Sequence, residues 1–128
     1  MAKILVIDDE ELLRDNLEAF LEDEGHEVLV THSAESGLVK LSTFTPDVVV
    51  VDLRLEGVSG ERFAKTAYAL QPRTRFIIHT GSKEYTLPRD LNSLGITDRN
   101  LIFKPLTDLK ELSRLIEYLI LDVSPISA

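Results

Sequence analysis

Five residues of this chain could do ionic chemistry together: Asp8, Asp9, Asp52, Thr80 and Lys104. Asp8 and Asp9 follow the apolar run Lys3–Ile7, Asp52 follows Val48–Val51, Thr80 closes Arg75–Thr80, and Lys104 follows Leu101–Phe103. One of them alone would mean little, because Asp commonly caps helices or forms turns, and Lys and Thr are ordinary surface residues. Three carboxylates in one place are different, since they repel and raise one another's pKa unless a cation neutralises them. Oxygen donors of this hardness favour magnesium, calcium or manganese.

The hydrophobic period along the chain gathers these positions. Lys3–Ile7 reads as a strand, followed by Leu13, Leu17, Phe20 and Leu21 at helical spacing and by Gly25 as a C-terminal stop. Val28–Val30 is a second short strand, and Ser33 can cap a helix with Ala34, Leu38 and Leu41 on one face, the unit ending at Pro46. Val48–Val51, β-branched throughout, predicts a central parallel strand buried on both faces. Phe63, Ala67 and Leu70 mark the next helix, closed by Pro72. Arg75–Thr80 is a fourth strand, Leu87–Leu94 a short helix with Pro88 near its first turn, and Leu101–Phe103 a fifth strand. Leu109, Leu112, Ile116 and Leu119 then line a last helix. Five strands alternating with five helices predict right-handed crossovers and a doubly wound α/β fold, a parallel sheet with helices on both faces. Ligands of such sheets sit beyond the carboxyl ends of the strands, where the five residues stand.

Composition narrows the function classes. With 128 residues, 44% hydrophobic and 28% charged, the chain suits one domain with a single sizeable core. It has no cysteine, so thiolate metal sites, cysteine nucleophiles and disulfides are excluded, which suits a reducing cytosol. The apolar run before Asp8 is far too short for a signal-peptide core or a membrane span. A formal net charge of -8 works against non-specific binding to DNA or anionic membranes, leaving a cation or a protein as the better partner.

Ile4-Leu5-Val6-Ile7-Asp8-Asp9-Glu10, Val48–Asp52 with Gly60 eight residues on, Thr80-Gly81 and Lys104-Pro105 together resemble the signature of response regulator receiver domains. The resemblance runs from Lys3 to about Asp122 and implies a flavodoxin-like three-layer sandwich over residues 1–122, with 123–128 a tail or the start of a linker. By that similarity Asp52 is the phosphoacceptor, Asp9 a direct metal ligand, Asp8 a ligand through water, and the backbone carbonyl of Arg54 a further ligand. The implied ion is Mg2+, with Mn2+ as an alternative, while Thr80 and Lys104 would hold phosphoryl oxygens. The family's Lys-Pro bond is usually cis, an isomer that residues alone do not reveal.

The implied function is a cytoplasmic phosphorelay switch and not an enzyme, although with its own magnesium-dependent self-phosphorylation and dephosphorylation chemistry. A sensor histidine kinase or phosphotransfer protein would supply the phosphoryl group. An output protein or domain would read the fourth helix, fifth strand and fifth helix, with no direct nucleic-acid or membrane contact, and a phosphorylation-dependent homodimer is a further expectation. Phosphoryl transfer to a carboxylate consists mainly of positioning and charge neutralisation.

Three positions depart from the family pattern. Leu101 stands where an aromatic is common, Glu56 where a Pro is frequent, and Gly95–Lys104 is somewhat longer than usual. Phe103 shares the strand face of Leu101 and is read as core, while His79 is read as strand packing or surface and not as a ligand. Arg54 and Ser82 flank the pocket at positions that tune hydrolysis in the family. A phosphohydrolase of the haloacid dehalogenase type also uses an Asp after a hydrophobic strand, but it needs a second Asp where this chain has Arg54. A receiver-like interaction module that is never phosphorylated is the other alternative, against which the retention of every acid argues. No Gly-x-Gly-x-x-Gly or Walker loop follows the first strand.

Overall fold

β-branched runs with no polar interruption can satisfy their backbone only inside a sheet and their side chains only under cover on both faces. The computed structural model describes residues 1–121 and shows that arrangement. Its strands are β1 (Lys3–Ile7), β2 (Glu27–Thr31), β3 (Val48–Asp52), β4 (Arg75–Thr80) and β5 (Leu101–Phe103), all parallel in the order β2-β1-β3-β4-β5. All five residues of β3, the central strand, are buried. The helices are α1 (Glu11–Asp23), α2 (Ala34–Lys40), α3 (Gly60–Leu70), α4 (Arg89–Asn92) and α5 (Leu109–Leu121).

Two cores lie on either side of the sheet. Leu5, Ile7, Val49, Val51, Phe76 and Ile78 face α2, α3 and α4, while Ile4, Val6, Val48, Val50, Ile77 and Ile102 face α1 and α5. Strand alternation carries this division to the strand ends, so Asp52 leaves β3 on the α1–α5 side and Thr80 leaves β4 on the other. Serines begin two of the helices: Ser33 accepts a hydrogen bond from the Ser36 amide at 3.1 Å and Ser59 from the Arg62 amide at 3.2 Å.

Two expectations are corrected, those for the fourth helix and for Phe103, and two features are added. The helix expected over Leu87–Leu94 is a single turn, Arg89–Asn92, because Pro88 is itself the extended N-cap and disfavours helix at Leu87, while Gly95 turns the chain at φ +87. A short 3-10 helix, Asp98–Asn100, occupies the stretch before β5 and is held by a capping box between Thr97 and Asn100. Leu70 is 62% exposed, since the buried stripe of α3 runs through Gly60, Phe63, Ala64 and Ala67 and leaves Leu70 to one side. Phe103 is half-buried and not core; Ile102 is the buried residue of β5, an edge strand beside a helix of one turn.

Gly60 connects the fold to the strand ends. A Cβ at this position would overlap the carbonyl oxygen of Asp52 and lie 3.1 Å from the Leu53 Cα, so only glycine lets the start of α3 approach the end of β3 so closely. Backbone cannot swing aside as a side chain can. Gly60→Ala should therefore destabilise the protein by about 1–3 kcal/mol, seen as a lower urea midpoint at unchanged slope. An unaltered midpoint would show that α3 can shift without cost.

Candidate functional site

The register of the sheet sets the strand ends level with one another. Ile7 pairs with Val51, Asp52 with His79, and Thr80 with Phe103, so Asp8, Asp52, Thr80 and Lys104 emerge along one edge. Backbone bonds fix the tips: the Leu53 amide donates to the His79 carbonyl at 3.2 Å and the Lys104 amide to the Thr80 carbonyl at 2.8 Å. Arg14 of α1 donates to the Asp8 carbonyl at 2.8 Å, tying the helix to the turn that bears the two acids. The Lys104–Pro105 bond is cis.

Carboxylate oxygens of Asp8, Asp9 and Asp52 all lie within 4.8 Å of one another. Asp8 and Asp52 are buried, at 1% and 6% exposure, while Asp9 opens to solvent. The Lys104 ammonium lies 3.3 Å from Asp8 Oδ2, 3.2 Å from Asp52 Oδ2 and 3.5 Å from Glu10 Oε1. Asp8 Oδ1 accepts from the Glu10 amide at 2.9 Å, and Asp52 Oδ1 accepts from the Arg54 amide at 3.1 Å. Thr80, 1% exposed, accepts from the Ser82 amide at 3.1 Å through its hydroxyl, whose own proton is available to another acceptor.

Charge follows burial here. Burial raises the Asp8 pKa, and Asp52 adds to the rise, against the opposing Glu10 amide and Lys104. For Lys104 burial pulls downward, but Asp8 and Asp52 outweigh it and the ammonium is held above its ordinary pKa. One lysine thus forms ion pairs with two buried acids, while no ion pair to the third, Asp9, is present among the described residues. A set of closely spaced hard oxygens with excess negative charge and one solvent-facing member fits a divalent cation such as magnesium.

Asp8, Asp9, Asp52 and Lys104 are brought together, Arg54 joins them through its amide, and Thr80 stands at the end of the adjacent strand, bonded to the Ser82 amide. Two participants escaped the sequence reading, Glu10 beside Lys104 and Arg14 beneath Asp8. The third successive acid, Glu10, was a visible signal, whereas nothing in the residue pattern distinguishes Arg14 from other helix-surface arginines.

Known proteins are similar to this chain in sequence and fold. A family model for the response regulator receiver domain matches residues 4–117. The transcriptional regulatory protein FixJ of Bradyrhizobium diazoefficiens is 31% identical over 122 residues, which cover 95% of this chain and 58% of FixJ. A response regulator receiver domain protein from Clostridium thermocellum is 30% identical with a TM-score of 0.80, covering 96% of this chain and 97% of that structure. The response regulator TrrA of Thermotoga maritima, solved with Mg2+ and BeF, is 28% identical with a TM-score of 0.78, covering 93% and 99%. The chain spans little more than half of FixJ and a third or less of other matched transcriptional regulators. Among the described residues no helix is long and apolar enough to cross a membrane.

His79 stands next to the cluster without belonging to it. It pairs in register with Asp52, is 2% exposed, and its Nε2 has no hydrogen-bond partner among the described residues. Burial, reinforced by the Lys104 charge, lowers its pKa from 6.5 to about 4. Above pH 6.5 the imidazole is neutral folded or unfolded; below it only the unfolded chain gains the proton, so stability is lost until about pH 4. Between pH 7 and 5 this linkage amounts to roughly 2 kcal/mol. His79→Leu should lose that much less stability than the parent over this interval, measured by urea denaturation. Equal losses would mean that the folded imidazole takes up its proton at an ordinary pH.

Proposed function

The chain belongs to the response regulator receiver domain family, and from that membership we propose that Asp52 is the phosphoacceptor of a two-component phosphorelay switch. The observation that carries this reading is the grouping of Asp8, Asp9 and Asp52 with Lys104 reaching two of them at the mouth of the sheet. Asp8, Asp9, Asp52 and the Arg54 backbone carbonyl would hold Mg2+, or Mn2+ in its place, which when bound offsets the three carboxylates together with Lys104 and polarises the phosphoryl oxygens. The magnesium in TrrA supports that choice of ion.

One Asp52 oxygen attacks phosphorus in line, forming the O–P bond as the donor's bond to phosphorus breaks and its electron pair leaves with the donor. Positioning does most of the work. The amide of Arg54 holds one Asp52 oxygen, which orients the carboxylate, and Lys104 is already poised between Asp52 and Asp8 to meet the incoming negative charge. Thr80 donates its hydroxyl proton to a phosphoryl oxygen once the group is present, drawing the following loop inward. The protein is a regulatory domain, and its self-phosphorylation and dephosphorylation are chemistry upon itself and not turnover of a substrate.

A histidine kinase or phosphotransfer protein is the donor. An apolar groove lined by Leu12, Leu13, Pro105 and Leu106 opens beside Lys104, and Leu12 is 75% exposed, which suits a protein docking over the site. Output passes through α4, β5 and α5 to a protein partner, which includes a second phosphorylated copy of the chain. The net charge of -8 disfavours nucleic acid, and the absence of cysteine suits the cytoplasm.

Acetyl phosphate with magnesium should add one phosphate to the parent protein, read by intact mass, and none to Asp52→Asn or in the presence of chelator. Equal uptake by the two proteins would sink the assignment. Thr80→Ala should still accept phosphate, more slowly, but show smaller amide chemical-shift changes over residues 81–94 on modification. Shifts as large as in the parent would remove the hydroxyl from the switch.

A further inference from the structure

The segment between β4 and α4 is anchored at both ends by side-chain hydrogen bonds. At its start the Ser82 amide donates to the Thr80 hydroxyl at 3.1 Å. Further on, the Tyr85 phenol donates to the Glu61 carboxylate of α3 at 2.6 Å, and Lys65, one turn along the same helix from Glu61, forms an ion pair with Asp90 of α4. Among the described residues no other side-chain hydrogen bond joins 81–88 to another element. Apolar cover is sparse as well, because α4 buries only Leu91, with Leu87 and Leu94 partly covered against the same core.

We propose that Tyr85–Glu61 and Lys65–Asp90 form a latch that clips the β4–α4 segment to α3 in the unphosphorylated state and must open for the segment to follow Thr80. The inference rests on the phosphoacceptor reading above. When the Thr80 hydroxyl turns to a phosphoryl oxygen on Asp52, its hold on the Ser82 amide changes, and a segment drawn inward at Ser82 pulls against Tyr85 three residues later. Tyr85 also hydrogen-bonds back to the Ser82 carbonyl through its amide at 3.3 Å, so the two anchors are joined by one tight turn. Burial and the Glu61 carboxylate both push the Tyr85 phenol upward in pKa, so it remains a donor across the physiological range. The Tyr85 bond, with a charged acceptor and partial burial, is the stronger clip; Lys65–Asp90 lies in solvent and contributes less.

A latch of this kind lowers the apparent affinity for anything that stabilises the moved state, because only the unlatched fraction can respond. Tyr85→Phe keeps the ring and removes only the donor. Without any ligand it should speed amide exchange of residues 82–94 by roughly three- to tenfold, and it should lower the beryllofluoride concentration giving half-saturation, at fixed magnesium, by a similar factor. Lys65→Met should act in the same direction and more weakly, and Glu61→Gln, which keeps an acceptor for the phenol, should lie between Tyr85→Phe and the parent. Unchanged exchange in Tyr85→Phe would overturn the latch alone. Faster exchange with an unchanged beryllofluoride midpoint would also overturn it, by separating the clip from switching. No response of the parent protein to beryllofluoride would instead overturn the phosphoacceptor reading, and the latch's part in switching with it.

Discussion

Negative charge packed where water is scarce is the condition to which the rest of the molecule answers. Asp8 and Asp52 are almost fully buried, carboxylate oxygens from both and from Asp9 lie within 4.8 Å of one another, and a single ammonium spans the buried pair. Such a group would relax by moving apart if its supports could yield. They cannot yield easily, because the acids stand at the ends of β1 and β3, buried strands paired on both edges, β3 above all. The sheet therefore holds the acids together against their mutual repulsion, with Lys104 as the positive charge between the buried pair. The upward shifts at Asp8 and Lys104 are two expressions of that one tension.

The same rigidity explains why mobility is left to the periphery. β1 and β3 hold the acids between packed layers, while the Thr80 side of the site leads into a loop, a helix of one turn and an edge strand of three residues. Elements with little buried apolar area open at small cost, so a response to new charge travels that way in preference to through the central strands. Polar clips such as Tyr85–Glu61 suit such a region, being directional and reversible where a packed interface would be neither.

Much of this was legible in the residues, for definite reasons. Continuous β-branched runs have few alternatives to a buried parallel strand, and acids at their ends have few positions to occupy, so the sheet and its five polar residues could be read directly. The region after β4 resisted because its structure comes from tertiary contacts and turn chemistry that carry no period: Pro88 cuts the helix to one turn, and Thr97 with Asn100 makes a 3-10 helix. Leu70 and Phe103 were apolar residues whose partners were not there to cover them. His79 is the converse, a polar residue whose burial is decided by its register with Asp52 and by the layer it faces. Glu61 and Tyr85 lie 24 residues apart and meet only because α3 and the β4–α4 segment share a face of the sheet.

The division of the strand ends between two helical layers has a further consequence. Asp52 is rooted in the layer with α1 and α5, and the Thr80 hydroxyl in the layer with α2, α3 and α4. The sheet lies between them as a partition. Substitutions confined to α2 and α3 can therefore alter the packing around Thr80 with little direct effect beneath Asp52, whereas α5 shares its layer with Asp52 and so meets the two roles at once.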